Sequence, residues 1–180
     1  MVGREIPGAT GSTCEKRMDH QETKTRQRIV AEARTWQRTP WRHCCRTKGA
    51  GVDCAMFCLC VFEAVGLVPH HELVDEITGP NQILKYSPDQ MMHRNGEYLL
   101  SIVERFGHRV ERPLDGDMVL YNYGRCVSHV AIADKWPRIL HAYKTTGMVT
   151  YDDGDRGEIG YQRNGASRIY GFYSALGVAV

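Results

Sequence analysis

The sequence lacks several features that would decide its class at once. No apolar run approaches the roughly 20 residues that a membrane-spanning helix needs. The stretch from Met1 to Arg17 holds no apolar segment of the kind a secretory leader carries, so synthesis in the cytoplasm is the expectation. No block of like charge exceeds a few residues, and the formal net charge is only +2. A nucleic-acid binder concentrates its basic residues into a stripe, so nucleic acid is excluded as a partner, and so is membrane insertion. No internal repeat or low-complexity tract is found. Paired Cys-x-x-Cys knuckles are missing too, and adjacent Cys44 and Cys45 close a tetrahedral site poorly. A zinc centre built from His43, Cys44, Cys45, Cys54 and Cys58 therefore has the wrong spacing, and no metal or other cofactor is expected.

What is present is ordinary for a globular chain. The 180 residues are 42% hydrophobic and 24% charged, enough for one domain with a proper core. Seven cysteines are many for this length, but they cluster and their number is odd. That is no disulfide framework, and a reducing compartment at synthesis is the simpler expectation. Residues 1–24 are rich in Gly, Ser, Thr and charge and are expected to form a flexible tail. One domain is expected over residues 25–176, followed by a short C-terminal tail at 177–180.

Three helices are predicted in the first part. From Thr25, the residues Ile29, Val30, Ala33 and Trp36 fall on one helical face, and Pro40 pushes its predecessor out of the α region. Lys24, Arg26, Arg28, Arg34 and Arg38 are expected on the solvated side of that helix. A polar loop follows over 42–51. Residues 53–66 are apolar almost all round, with Asp53 as N-cap and Gly66 as stop, which predicts a helix at the centre of the domain. A third helix is predicted over 88–106 from the stripe Leu99, Ile102, Val103 and Phe106, and His70-His71 are expected in a surface loop. After Pro113 the pattern becomes strands, at 117–123, 127–133, 138–143, 148–151 and 168–173. Helices first and strands afterwards predict an α+β fold, with N-terminal helices packed on a largely antiparallel sheet.

Cys54 is the candidate nucleophile. It stands in the first turn of the buried helix, where unpaired N–H groups and the helix dipole favour a thiolate and can hold an oxyanion. Asp53 opposes the thiolate by its own charge, so a histidinium partner is required. His129 and His141 lie in consecutive predicted strands, twelve positions apart, so one imidazole can orient the other. Nucleophile, base and orienter make up the logic of a catalytic triad. Cys58 and Cys60 read as small buried hydrophobes.

Five segments occur in a telling order: Thr39-Pro40-Trp41, Gly51-Val52-Asp53-Cys54, Asp115-Gly116-Asp117-Met118-Val119-Leu120, Ser128-His129-Val130-Ala131-Ile132 and Leu140-His141-Ala142. Together they resemble the NlpC/P60 family of papain-like cysteine peptidases. Thr39-Pro40-Trp41-Arg42-His43 followed by Lys48-Gly49-Ala50-Gly51 looks like its phage cell-wall peptidase branch. The resemblance spans residues 25–173 and implies Cys54 as nucleophile, His129 as general base and His141 as the orienting residue. It also implies metal-free hydrolysis of peptidoglycan stem peptides between D-γ-glutamate and a diamino acid. Asp53 would hold the free amine of the substrate, and Trp41 would sit at a substrate or oxyanion contact. The expected partners are the stem peptide and phage tail proteins, with action on the cell wall from a virion tail. Two departures stand out. Trp41 replaces the usual tyrosine, and an indole N–H donates but cannot accept. Ala55 and Met56 replace the usual Ser-Gly. The same triad also suits an amidase or acyltransferase, and the fold suits a structural tail protein that has lost catalysis.

Overall fold

The computed structural model describes residues 20–69 and 97–177. The His70-His71 loop lies outside the described residues, as do most of both expected tails and the first part of the helix predicted over 88–106.

Helix α1 (His20–Arg34) begins ahead of Thr25, inside the expected tail. Its first turn holds no apolar residue and is tied instead by Glu22 accepting from Arg26 at 2.9 Å, a contact that hydrophobic periodicity does not register. Ile29, Val30 and Ala33 are buried as predicted, and Trp36 is buried in the turn beyond. The helix stops at Arg34 rather than at Pro40. Arg38 takes a left-handed conformation (φ 65°) and its N–H donates to the Val149 carbonyl, which draws the chain onto the sheet before the proline acts.

Two of the five basic residues expected on the solvated side of α1 are not free there. Arg26 is buried and donates to Asp117 Oδ1 at 2.7 Å and to the Asp115 carbonyl at 3.0 Å. Arg34 holds both oxygens of Asp134, at 2.9 and 2.7 Å. Long guanidinium stems reach past the helix edge to acidic turns distant in sequence, which a helical wheel cannot show.

The loop at 42–51 contains a minimal antiparallel pair, β1 (Arg46–Thr47) with β2 (Gly51–Val52). Helix α2 (Cys54–Ala64) follows directly. Asp53 caps it by accepting from the Met56 N–H at 3.0 Å, and Gly66 supplies the left-handed stop (φ 80°). Met56 to Phe62 are all buried, as an apolar helix at the centre of a domain requires. Cys58 and Cys60 belong to this core, and the six cysteines among the described residues are free thiols. Helix α3 (Tyr98–Phe106) buries Leu100 and Val103.

The sheet has six strands: β3 (His108–Val110), β4 (Met118–Tyr123), β5 (Cys126–Ala133), β6 (Arg138–Tyr143), β7 (Met148–Asp153) and β8 (Ile169–Ser174). They lie in the order β3-β8-β4-β5-β6-β7, antiparallel throughout. A one-turn helix, α4 (Gly157–Gly160), precedes β8. Both faces of the sheet are covered. Leu120, Val130, Ile132 and Leu140 pack against α1, α2 and α3, while Val119, Tyr121, Ala131 and Ile139 form a smaller second core with Ile159. This accounts for strands that read as continuous apolar runs rather than as alternating ones. At the turn before β4, Gly116 (φ 87°) lies against Ile29, and a Cβ there would meet that side chain at 3.2 Å. The fold is α+β, with helices on an antiparallel sheet, as the order of elements predicts.

Candidate active site

Cys54, His129 and His141 come from one helix and two neighbouring strands. Strands β5 and β6 pair at Ile132–Leu140 and Ala133–Ile139. Continuing that register places Tyr143 opposite His129, so His141 is a diagonal neighbour on the same face. The contact is real: His129 Nε2 lies 2.9 Å from His141 Nδ1. Cys54 and His129 line one groove of about 360 Å³, together with Trp41, His43, Asp53 and Tyr143.

The Cys54 thiol is half-buried and donates weakly to the Ser128 carbonyl, at 3.9 Å. Burial, and then the Asp53 carboxylate, push its pKa up to about 12. Backbone N–H groups of Val130, Ala55 and Cys54 itself pull the other way without winning. The helix N-terminus was expected to activate the thiolate, and here it does not prevail. The dipole is outweighed because the sulfur has lost water and faces a carboxylate one residue away.

His129 is walled in by rings. Tyr121, Tyr123 and Tyr143 have centroids 5.8, 5.9 and 5.7 Å away. Burial, with His141 beside it, holds its basicity well below the ordinary histidine range. Burial also lowers His141, to about 4. At neutral pH the resting site is therefore an uncharged thiol beside two uncharged imidazoles.

Asp53 is buried, and its carboxylate is used by the fold. Oδ1 caps α2, and Oδ2 accepts from the Cys44 N–H at 2.6 Å. Trp41 bridges to Val52 beside it, with the His43 ring stacked at 6.5 Å and Lys144 Nζ 5.6 Å from its centroid. Met56 packs in the core at the groove floor. Of the zinc-type residues, the fold gathers His43 and Cys44 with Asp53, one ligand atom of each within 4.8 Å of the others; Cys45, Cys54 and Cys58 are not in that group.

The family model of the NlpC/P60 family matches residues 38–167, a span holding Trp41, Asp53, Cys54, His129 and His141. The chain belongs to the NlpC/P60 family. No curated protein matches it in sequence. Among solved structures it is similar to the peptidoglycan hydrolase RipB of Mycobacterium tuberculosis: 17% identity, 95% of this chain, 73% of that one, TM-score 0.53. An NLP/P60 family protein of Staphylococcus aureus, described as similar to lipoprotein, gives 18% identity, 84% and 41% coverage and a TM-score of 0.53. NlpC2 of Trichomonas vaginalis gives 12% identity, 83% and 48% coverage and a TM-score of 0.52. The chain spans less than half the length of the last two. These likenesses are of fold, and the fold they share is the papain-like one of NlpC/P60 proteins.

Within that NlpC/P60 fold, sequence reasoning overlooked the tyrosines packed around His129, of which Tyr123 and Tyr143 line the groove. Tyr121, Tyr123 and Tyr143 read as ordinary strand aromatics, although their spacing around His129 across two predicted strands was available. His43 reads in sequence as a candidate metal ligand and as part of the phage-branch segment, and its stacking on Trp41 depends on a loop whose path is set by tertiary contacts.

Proposed function

We propose that the protein is a cysteine endopeptidase that hydrolyses peptidoglycan stem peptides at the D-γ-glutamyl-diamino acid bond. Family membership carries the coarser statement, a cell-wall peptidase. The observation that carries the chemistry is the 2.9 Å bond between His129 Nε2 and His141 Nδ1, with His129 lining the same groove as Cys54. With Nε2 engaged, Nδ1 is the His129 nitrogen left to take a proton. Cys54 Sγ attacks the amide carbon while its proton passes to His129, and the N–H groups around the head of α2 receive the oxyanion. Collapse of the tetrahedral intermediate expels the amine, which takes the proton back from His129 and leaves a thioester. Water, deprotonated by His129, attacks the thioester, and Cys54 is released as the thiol. Because thiol and imidazole both rest uncharged, proton transfer accompanies attack instead of preceding it.

Asp53 and Trp41 flank the nucleophile and are the proposed contacts of the substrate amine and carbonyl. Delivery from outside the cell on a phage tail belongs to the same proposal and is supported by the likeness of residues 39–51 to the phage branch. The apolar wall beyond Cys54, with Leu59, Phe62, Leu99 and Ile102, favours a second reading in which an amine acceptor resolves the thioester. Mass spectrometry of a defined stem tetrapeptide incubated with the protein separates the two. Cleavage at the γ-glutamyl bond, absent in Cys54→Ser, is the expected result. A transamidated product in the presence of added amine makes it an acyltransferase, and an intact peptide together with a Cys54 that iodoacetamide alkylates no faster than Cys58 leaves a structural protein.

A further inference from the structure

The geometry points to Asp152 as a positioning residue that completes a relay from Cys54 through His129 and His141, one member from each of three consecutive strands. The inference rests on His129 as the base, and follows from the tautomers that role demands. For Nδ1 of His129 to accept the Cys54 proton, the ring must carry its own proton on Nε2 and donate it to His141 Nδ1. His141 Nδ1 is then an acceptor, so the remaining hydrogen of that ring sits on Nε2. His141 is fully buried, and Nε2 has no hydrogen-bond partner among the described residues. A buried donor left unpaired costs about 1–3 kcal/mol, so such a group calls for an explanation.

Asp152 supplies one. In the β6–β7 ladder Thr150 stands opposite His141, which makes Asp152 its diagonal, same-face neighbour. Its Oδ2 lies 3.8 Å from His141 Nε2. Its Oδ1 accepts from the Asp153 N–H at 2.8 Å, fixing the carboxylate with its second oxygen toward the imidazole. At 3.8 Å the contact is longer than a hydrogen bond, and burial alone sets the weak basicity of His141. The Asp152 side chain is 40% exposed and has room to advance by the ~1 Å that closes the bond. When His129 takes the Cys54 proton, positive charge spreads over the two rings, and a closing carboxylate stabilises that state more than the resting one. This is the differential that speeds a reaction. Asp153, Asp155 and Arg156 crowd the same turn, with Arg156 Nε 3.5 Å from Asp153 and 4.0 Å from Asp155. Asp152 is therefore the carboxylate of this turn left facing the rings.

The test combines stem-peptide kinetics with ring resonances of ¹⁵N-histidine-labelled protein, in wild type, Asp152→Ala and Asp152→Asn. The expected result in Asp152→Ala is a kcat lower by ~10- to 100-fold, the scale that residues behind a functional histidine carry elsewhere, with KM unchanged. The acid limb of kcat should move to lower pH, because the imidazolium loses its counter-charge. Asp152→Asn should recover part of kcat, since it keeps the acceptor and loses only the charge. The His141 Nε2–H resonance should move upfield in both variants. A wild-type kcat, acid limb and resonance in Asp152→Ala would overturn the proposal. Should the wild type leave stem peptides intact, the peptidase reading fails and the resonance decides alone: dependence on Asp152 upholds the relay, and indifference ends it. Asp152→Asn carries the same readout if the alanine variant does not fold.

Discussion

Strands β5 and β6 carry a buried polar cluster at each end, and the two are provisioned in opposite ways. At the turn, Asp134 accepts from Arg34 twice, from Arg138 at 3.0 Å and from Tyr151 at 2.7 Å. These partners outweigh its burial and hold the carboxyl well below the usual range. Toward the groove, His129 and His141 share one hydrogen bond, lie among tyrosines and, among the described residues, meet no charged group within hydrogen-bond distance. One cluster is saturated and the other is starved. Saturation fixes α1 and the β5–β6 turn in place and leaves nothing to react. The starved pair keeps its capacity for interaction until a proton arrives from Cys54.

The most direct way to break this contrast is to remove the base. His129→Ala should lower the rate of stem-peptide cleavage by ~10³–10⁴-fold, at the upper end of general-base contributions. The melting temperature should fall as well, because a buried ring gives way to a void and His141 Nδ1 loses its partner, so rates are compared per folded molecule. Activity that survives this change within tenfold would mean the rings are packing, not chemistry.

Acid separates the clusters next. Both histidines are held neutral in the fold, with His141 at about 4, whereas an unfolded histidine takes up its proton near pH 6.5. Protons therefore favour the unfolded chain, and stability should be lost as pH falls from 6.5 toward 4, by about 2–3 kcal/mol for His141. Asp134 also binds fewer protons folded than unfolded, but its loss comes only below the carboxylate range. Denaturant melts of wild type and His141→Gln across pH 4–7 check this. The variant should show a shallower decline, and parallel curves would refute the assignment.

The smallest effect concerns the saturated end. Asp134→Ala should cost about 2 kcal/mol, less than a fully buried pair would, since Arg34 and Arg138 keep 45% and 46% of their side chains exposed to water. Activity per folded molecule should not change. Urea midpoints alongside kcat distinguish this from a role in the site.

Much of this could be read from residue order, and the limits are physical. The apolar run of α2, its Asp53 cap and its Gly66 stop are local, so they were legible. The pairing of His129 with His141 was legible too, because one tight turn joins their strands. What escaped were contacts that depend on reach across the fold. Arg26 and Arg34 looked like solvent-facing charges because their acidic partners lie on another element. Strand β3 is too short, and too polar at His108 and Arg109, to stand out from its surroundings. The weak acidity of Cys54 escaped for a different reason, since a helix dipole is visible in a sequence and the loss of water around one sulfur is not.

Arg26 sets how much chain this domain needs to fold by itself. The family match begins at residue 38, which would leave α1 outside. Yet Arg26 is the cation that meets Asp117, whose side chain is almost wholly shielded from water. The match also ends at residue 167, short of β8, the strand that lies between β3 and β4. The folded unit is therefore longer than the span that the family model matches. It reaches back at least to Glu22, which grips Arg26 from one helical turn away, and forward through Ser174.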